Sequence, residues 1–459
     1  MSAAVEDHLR TQQQSYIDDI VALCRIPSVS TDPAYAEHFA AAAEALGTRM
    51  RRAGFPSVEL IPTDGHPAVF AEWPGPAGAP TILVYGHYDV QPPDPLEKWI
   101  SPPFKPTILD GRLYARGASD DKAPILIPVF VAEAFGAVDG NLPVTLKLLI
   151  EGEEESGSPH FEATVERLRD RLKCDLIVSA DGAMWRKDLP SVTVASRGII
   201  GLEMTIHGAS KDLHSGRHGG SAPNPIRTLA RMLASLHDAD GNCVVPSFAD
   251  DLLPPDPAVE AAIRAVGFDA GRYFDEIGAP RPSPLPSGEE LLTCQWLKPT
   301  LEFNGISGGY SGVGSKTVIP AEASVKITCR LVAGQEWSAV AEAIRAHLET
   351  VLPPGYRMSL TVHGSGTPAF SVDPALPGLT IAEDVLEELL GRRPLRVAMG
   401  ATIPVGAVFK RQLGVATIFF SFSTSDEDYH APNEFFRLES LTTGLIAWAR
   451  LLERLGATS

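Results

Sequence analysis

The sequence predicts an α/β protein whose mostly parallel sheet is flanked by helices and whose chain contains an inserted α+β domain. Short apolar runs rich in aliphatic and β-branched residues recur in the N-terminal part of the chain, each long enough for one buried strand. Helical stretches separate these runs, and strands that alternate with helices form parallel sheets. The length of 459 residues favours two domains, because a single core rarely organises a chain of this size.

Helices and strands alternate in the first part of the chain. Amphipathic periodicity predicts helices over residues 5–24 and 34–53, and the second ends at Gly54. Further helices are predicted to begin near Pro124 and after Pro159, because proline favours the first turn of a helix. The predicted buried strands are Thr81–Tyr85, Thr145–Ile150 and Asp175–Ser179.

The pattern changes near Arg197, where residues 199–208 alternate as a half-buried strand does. A helix, a group of strands and a second helix are predicted at 222–237, 299–332 and 336–351. Residues 246–288 are rich in proline and show little periodicity.

The last part of the chain is predicted to return to the first sheet. Its elements are a helix at 374–390, a buried strand at Val415–Phe422 and a closing helix at Leu438–Leu455. We therefore predict a first domain of residues 1–198 and 367–459 and an inserted second domain of residues 199–366.

Charge and composition argue against several classes of protein. Lys plus Arg number 39 and Asp plus Glu number 57, so the formal net charge is −18. Nucleic acids and anionic membranes both attract basic faces, so we expect neither as a partner. The longest apolar stretch, Ala123–Val138, is too short to span a bilayer. The N-terminus lacks a secretory pattern and the five cysteines are widely spaced, so we expect a cytoplasmic protein with reduced thiols.

Acidic and histidine side chains follow the predicted strands at the point where each strand ends. In α/β sheets, ligands bind beyond the carboxyl ends of the strands. His87 and Asp89 follow the first strand, the acidic run 151–155 follows the second, and Asp181 follows the third. His430 comes after the strand near the end of the chain. Asp89 lies on the same side of an extended chain as His87 and could hold its second ring nitrogen.

Each of these features alone also has a structural explanation. Asp120 and Asp121 precede a helix and suit an N-cap, and an acidic run is usually a solvated loop. Taken together, the candidates offer nitrogen and oxygen ligands and no thiolate, which favours Zn²⁺, Co²⁺ or Mn²⁺. The turn at Asp120 could present a bridging carboxylate, and adjacent glutamates could divide metal ligation and proton transfer.

The motifs at these strand ends resemble those of the M20 family of metallopeptidases, most of all its dipeptidase branch, which includes carnosine and cysteinylglycine dipeptidases. The strings that carry the resemblance are GHYDV, RGASDDK, EGEEESGS, SADG and YHAPNE, in this order. Nearly the whole chain is covered, because IPSVS at 26–30, DLHSG at 212–216 and GSKTVIP at 314–320 match as well.

The resemblance implies two divalent metal ions, with zinc expected and cobalt or manganese as alternatives. Glu154 would be the general base, and Asp89 would orient His87. A cis peptide bond is expected between Asp120 and Asp121. The implied ligands are His87, Asp120 and Asp181 for one metal, and Asp120, Glu155 and His430 for the other.

The resemblance also assigns roles to the two domains. The first would be the catalytic metal-binding domain, and the inserted one would be a lid and dimerisation domain. His214 would reach from one subunit of a homodimer into the active site of its partner. Arg330 would bind a substrate carboxylate, although its residue type and strand position also fit a surface arginine. Thr317 and Thr402 would contact substrate.

Two departures from the family pattern concern the substrate more than the reaction. Ala123 stands where the family usually has glycine after DDK. The segment Met399–Pro404 resembles the GGSIP stretch of the dipeptidases but carries Ala401 and Thr402. That loop contacts substrate in the family, so these changes bear on specificity.

The predicted activity is hydrolysis of the amide bond of a dipeptide, or a similar short peptide or amino-acid amide, by a metal-activated water. A deacylase of N-acyl or succinyl amino acids would use the same two-metal site and is the alternative within the enzymes. A catalytically silent dimeric scaffold is the alternative outside them. The complete set of predicted ligands together with Glu154 argues against a scaffold, which has no need to keep them.

Overall fold

The computed structural model describes residues 2–457. The chain forms two compact units. The first comprises Met1–Val194, Val372–Val397 and Val408–Ser459, and the second comprises Ala195–Ser371 and Ala398–Ala407. The predicted fold class is confirmed, since the chain is a mixed α/β protein with a mostly parallel central sheet.

The strands are numbered in chain order. They are β1 Ser57–Ile61, β2 Ala68–Trp73, β3 Thr81–His87, β4 Thr107–Leu109, β5 Arg112–Tyr114, β6 Thr145–Glu151, β7 Leu176–Ser179, β8 Ser191–Ser196, β9 Gly198–His207, β10 Leu213–His214, β11 Thr300–Gly308, β12 Val318–Ile319, β13 Glu322–Leu331, β14 Arg357–Thr367, β15 Phe370–Ser371, β16 Leu395–Met399, β17 Thr417–Phe419 and β18 Phe435–Arg437.

The α-helices are numbered in the same way. They are α1 Ala3–Thr11, α2 Gln13–Cys24, α3 His38–Ala53, α4 Ala123–Val138, α5 Phe161–Arg167, α6 Ser215–His218, α7 Pro225–Ala234, α8 Pro257–Val266, α9 Ala270–Glu276, α10 Gly288–Leu297, α11 Trp337–Val351, α12 Pro377–Leu390, α13 Pro404–Leu413 and α14 Leu438–Ala457.

The first unit is organised around a six-stranded sheet of order β1-β2-β6-β3-β7-β17. Strands β6, β3, β7 and β17 run parallel to one another, and β2 is antiparallel to both β1 and β6. The parallel strands are buried along most of their length, as their continuous apolar sequences predict. Helix α4 is buried on nearly all sides and packs against α14.

The second unit contains a four-stranded antiparallel sheet of order β11-β13-β9-β14. Alternate residues of β9 and β13 are buried, which is the pattern of a sheet covered on one face. One apolar cluster joins that face to the helices and includes Leu202 and Met204 of β9, Ile327 of β13, Leu233 of α7 and Ile344 of α11.

Several predicted elements need correction. The helix predicted over residues 5–24 is interrupted at Gln12, whose backbone leaves helical geometry between α1 and α2. The helix predicted from residue 34 begins at His38, after a single 3₁₀ turn at Pro33–Tyr35. The strand predicted at 415–422 is shorter and covers only β17, Thr417–Phe419.

The proline-rich region 246–288 is more regular than its sequence predicts, because it contains α8 and α9. Pro257 occupies the first turn of α8, where no amide hydrogen is required, and the side chain of Asp256 caps that helix. Asp269 caps α9 in the same way. No helix within residues 2–457 is both long and apolar enough to cross a membrane.

Candidate metal centre

Three parallel strands bring the candidate residues to one edge of the first unit's sheet. His87 is the last residue of β3 and lies opposite Glu151, the last residue of β6. Tyr85 of β3 pairs with Ser179, the last residue of β7. The loops that leave these strands therefore begin side by side, as expected for parallel neighbours.

Two groups of ligand atoms form at this edge and share Asp120. The first group contains His87, Asp120 and Asp181, and the second contains Asp120, Glu155 and His430. Within each group, the ligand atoms all lie within 4.8 Å of one another. All five residues that the resemblance assigned as ligands are thus brought together, in the two predicted sets.

Asp120 joins the two histidines through its two carboxylate oxygens. Its Oδ1 atom lies 3.0 Å from Nε2 of His87, and its Oδ2 atom lies 3.0 Å from Nε2 of His430. Oε2 of Glu155 lies 3.1 Å from the same His430 nitrogen. A carboxylate that presents one oxygen to each side has the geometry of a bridging ligand.

The peptide bond between Asp120 and Asp121 is cis, as the resemblance predicted. The same turn places the side chain of Asp121 behind the site, where its Oδ2 accepts a hydrogen bond from the amide of His87, 3.2 Å away.

Asp89 supports both His87 and the glutamate loop. Nδ1 of His87 lies 3.1 Å from the backbone oxygen of Asp89 and 3.4 Å from its Oδ1 atom. A carbonyl oxygen only accepts, so Nδ1 carries a proton, and a metal that displaced the proton of Nε2 would bind through the Nε2 lone pair. The buried carboxylate of Asp89 also accepts hydrogen bonds from the amides of Glu154 and Glu155, at 3.1 Å and 3.0 Å.

A buried glutamate that the sequence reasoning did not single out holds the loop of Asp120. The Oε2 atom of Glu434 accepts hydrogen bonds from Nη1 of Arg116 and the amide of Gly117, at 2.7 Å and 3.0 Å. Its Oε1 atom accepts from the amides of Ser119 and Asp120, at 2.9 Å and 3.2 Å. One carboxylate therefore fixes the backbone on which the bridging ligand stands.

A second buried glutamate, Glu427, holds the same loop from another direction. Its Oε2 atom accepts a hydrogen bond of 2.6 Å from the hydroxyl of Ser119, and its Oε1 atom accepts from the amide of Arg437.

Glu434 stood within the YHAPNE string, but nothing in local spacing indicates a partner more than 300 residues earlier in the chain.

Burial and mutual repulsion dominate the electrostatics of the site. Burial and the charge of Asp120 raise the pKa of Glu155 to about 7. Burial, opposed by His87 and assisted by Asp120, raises the pKa of Asp181 to about 6. Burial likewise raises the pKa of Glu154 well above its ordinary value. Crowded carboxylates that resist ionisation in this way gain stability when a cation is bound among them.

The two histidine contacts have the opposite effect. Burial disfavours the charge of Asp120, yet hydrogen bonds from His430 and His87 hold its pKa below the ordinary value. Hydrogen bonds to Asp120 and Glu155 raise the pKa of His430 to about 10. The carboxylates thus stabilise the protonated imidazoles, and a bound metal ion would compete with those protons for the ring nitrogens. The donor set of nitrogen and oxygen atoms fits two divalent cations that share Asp120.

The two neighbouring glutamates differ in their surroundings. Glu154 belongs to neither ligand group, although its amide is anchored to Asp89 beside them. The carboxylate of Glu153 is buried and lies 3.0 Å from Nδ1 of His160. Glu153 is therefore occupied by another partner, and Glu154 is the carboxylate left next to the ligands.

The remaining predicted residues lie in the second unit and form two pairs. Strands β10 and β12 place the DLHSG and GSKTVIP segments side by side, with the amide of Ser215 donating to the backbone oxygen of Thr317. His214 is exposed on this ribbon, and its Nδ1 accepts a hydrogen bond of 3.0 Å from the amide of Gly216. Because Nδ1 accepts, the donor nitrogen of this ring is Nε2.

Arg330 and Thr402 form the second pair. Nη1 of Arg330 on β13 donates a hydrogen bond of 2.7 Å to Oγ1 of Thr402. Arg330 is half-buried.

Two candidate ligand sets of carboxylates and histidines, placed beside the ends of parallel strands in an α/β sheet, are the arrangement of a metal-dependent hydrolase. The sequence model of peptidase family M20/M25/M40 matches residues 83–454, and the chain belongs to this family of metallopeptidases. The predicted resemblance to its dipeptidase branch is confirmed, because similar curated proteins include dipeptidases.

Two curated relatives and one solved structure illustrate the similarity. Human Beta-Ala-His dipeptidase is 30% identical over 375 residues, which cover 80% of this chain and 73% of the relative. Cys-Gly metallodipeptidase dug1 of Schizosaccharomyces pombe is 27% identical over 449 residues, covering 95% and 94%. The M20 family metallo-carboxypeptidase Sso-CP2 from Sulfolobus solfataricus superposes with a TM-score of 0.85 at 27% identity, covering 96% of this chain and 99% of that one.

Proposed function

We propose that this protein is a cytoplasmic dipeptidase that hydrolyses the amide bond of a dipeptide or a similar short peptide with two bound zinc ions. The single observation that carries the proposal is the bridging position of Asp120 between two complete ligand sets. The dipeptidases among its relatives support the substrate class. Two divalent cations, when bound, supply Lewis acidity to the scissile carbonyl and to the attacking water.

Glu154 is the proposed general base. Its amide is held by Asp89, so its side chain starts from a fixed point beside both ligand groups. Burial raises its pKa, and nearby cations would lower it again, which would favour the ionised form that accepts a proton. Glu154 would accept a proton from the attacking water and deliver it to the leaving amine.

Substrate binding is assigned to the second unit, which we propose as the lid and dimerisation domain, with the first unit as the catalytic domain. The proposed catalytic domain comprises residues 1–198 and 367–459, and the proposed lid and dimerisation domain comprises residues 199–366. The Arg330 guanidinium would bind the substrate's terminal carboxylate as a two-pronged donor, assisted by Thr402, and Thr317 would contact substrate.

His214 is proposed to act across a homodimer. Its Nε2 atom is the donor nitrogen of an exposed side chain, and stabilising a developing oxyanion requires a hydrogen-bond donor. In a two-fold dimer, the ribbon of one subunit would complete the site of the other.

A panel of substrates tests the proposed activity. A purified, zinc-loaded enzyme should hydrolyse free dipeptides, and the N-acetylated or N-succinylated amino acids should be much poorer substrates. Preference for the N-acyl compounds would instead favour the deacylase, and absence of turnover on either set would favour the silent scaffold.

A further inference from the structure

Arg197 links two segments of the second unit that are far apart in the sequence. Its Nε atom donates a hydrogen bond of 2.8 Å to the backbone oxygen of Gly400, and its Nη1 atom donates one of 3.2 Å to the backbone oxygen of Lys298. A planar guanidinium can hold two acceptors in fixed directions at once, whereas the single ammonium of a lysine cannot reproduce that geometry.

The loop that receives this hydrogen bond lies directly on α10. A Cβ atom at Gly400 would stand 2.8 Å from the backbone oxygen of Gln295, so only glycine permits this close approach. Helix α10 is itself well anchored, because Ser287 and Glu290 form a reciprocal capping box at its start. The loop is therefore held in place both by its contact with α10 and by the hydrogen bond from Arg197.

Two residues beyond Gly400, the same loop presents Thr402 to Arg330. Their hydrogen bond of 2.7 Å uses only one of the five donors of Arg330. Burial alone lowers the pKa of Arg330, so among residues 2–457 no carboxylate measurably offsets the charge of that guanidinium. Burial and then the nearby charge of Arg330 lower the pKa of Arg197, and the charge of Glu302 opposes them only in part.

We propose that Arg197 is a positioning residue for recognition of the substrate's terminal carboxylate. Through the Gly400 carbonyl it fixes the loop that lets Thr402 orient Arg330, and its own charge adds to the positive field that attracts a carboxylate. The inference rests on the proposed function, because the carboxylate belongs to the proposed dipeptide. It adds a residue that does not touch the substrate and that determines which end group is recognised.

The test compares a free dipeptide with the same dipeptide carrying a C-terminal amide, in the zinc-loaded full-length enzyme. Arg197→Lys should raise KM for the free acid roughly tenfold, as expected for a charge-assisted hydrogen bond loosened at one remove. The kcat value should change by less than about twofold, since the reacting groups are untouched. The amide lacks the recognised carboxylate, so the wild type and Arg197→Lys should hydrolyse it equally well.

Arg345→Lys is the matched control, because Arg345 also donates to a backbone oxygen in the second unit, that of Leu360, far in sequence from the loop. This control substitution should leave KM and kcat unchanged for both substrates. If Arg197→Lys lowered kcat/KM equally for acid and amide, or changed neither, the positioning role would be overturned. Wild-type enzyme that hydrolyses neither substrate would instead overturn the proposed function, and the role of Arg197 with it.

Discussion

The Oε1 atom of Glu434 lies 3.2 Å from the amide nitrogen of Asp120, although more than 300 residues separate them in the chain. The same carboxylate is buried and paired with Arg116. The hydrogen bonds of this one side chain therefore connect the C-terminal part of the sequence to the bridging ligand. Loss of these hydrogen bonds should weaken metal binding.

Glu434→Gln should weaken metal binding by about 10- to 100-fold, the usual consequence of removing a group that orients a ligand. The side-chain nitrogen of glutamine would replace one carboxylate oxygen and would face N–H groups that currently donate to that oxygen. Arg116 would also lose its buried counter-charge. Competition with a chelator of known affinity measures the effect. Glu388→Gln, which removes an exposed carboxylate paired with Arg454, is the control and should bind metal normally. Unchanged affinity in Glu434→Gln would refute the role assigned to this residue.

Glu154→Gln should lower kcat by about 10²-fold or more, since the variant keeps the shape of the side chain but cannot accept a proton. Its metal content should equal that of the wild type, because Glu154 is in neither ligand group. Glu153→Gln should have a much smaller effect, since that carboxylate already contacts His160. Near-normal turnover in Glu154→Gln would place the base elsewhere.

Metal uptake should release protons, and metal affinity should rise with pH. In the metal-free protein the pKa of His430 is raised to about 10 and that of Glu155 to about 7, so at pH 7 the histidine and part of the glutamate hold protons. Both must lose them to become ligands, and the competition therefore weakens as pH increases toward the pKa of His430. Zinc calorimetry in two buffers of different ionisation enthalpy counts the protons. A count of zero at pH 7 would contradict the ligand assignment.

His214→Ala should retain its metals and fold but lose most of its turnover. The sharper experiment mixes this variant with Glu154→Gln subunits. If His214 acts across the dimer, a mixed dimer contains one site with an intact base and an intact partner histidine, so activity returns on mixing. Heterodimers that form without recovering activity would show that His214 does not act in the partner's site.

The strand ends were the part of the site that the sequence predicted well. Continuous apolar runs predicted β3, β6 and β7, and the parallel alternation with helices placed His87 and Asp181 at one edge. The predicted contact between Asp89 and His87 is present. The backbone oxygen of Asp89 lies closer to Nδ1 of His87 than its carboxylate does, and side-chain patterns do not indicate such a backbone contact.

Other features escaped prediction because they depend on tertiary contacts or on position within a helix. The carboxylate of Glu434 finds its donors only after folding, and no periodicity signals them. Helix α8 was not predicted because residues 246–288 are rich in proline and show little periodicity, yet Pro257 lies in its first turn and Asp256 caps it. Helix α10 and its contact with Gly400 likewise depend on the folded chain.

The most direct test of the central claim is a zinc titration of chelator-treated enzyme, with bound metal and hydrolysis of a free dipeptide followed in the same samples. Two ligand sets that share Asp120 predict two zinc ions per chain, no activity without metal, and activity that appears as the sites fill. Asp120→Asn, which disturbs both sets, should bind neither ion tightly. Full dipeptidase activity in the metal-free protein would contradict the account.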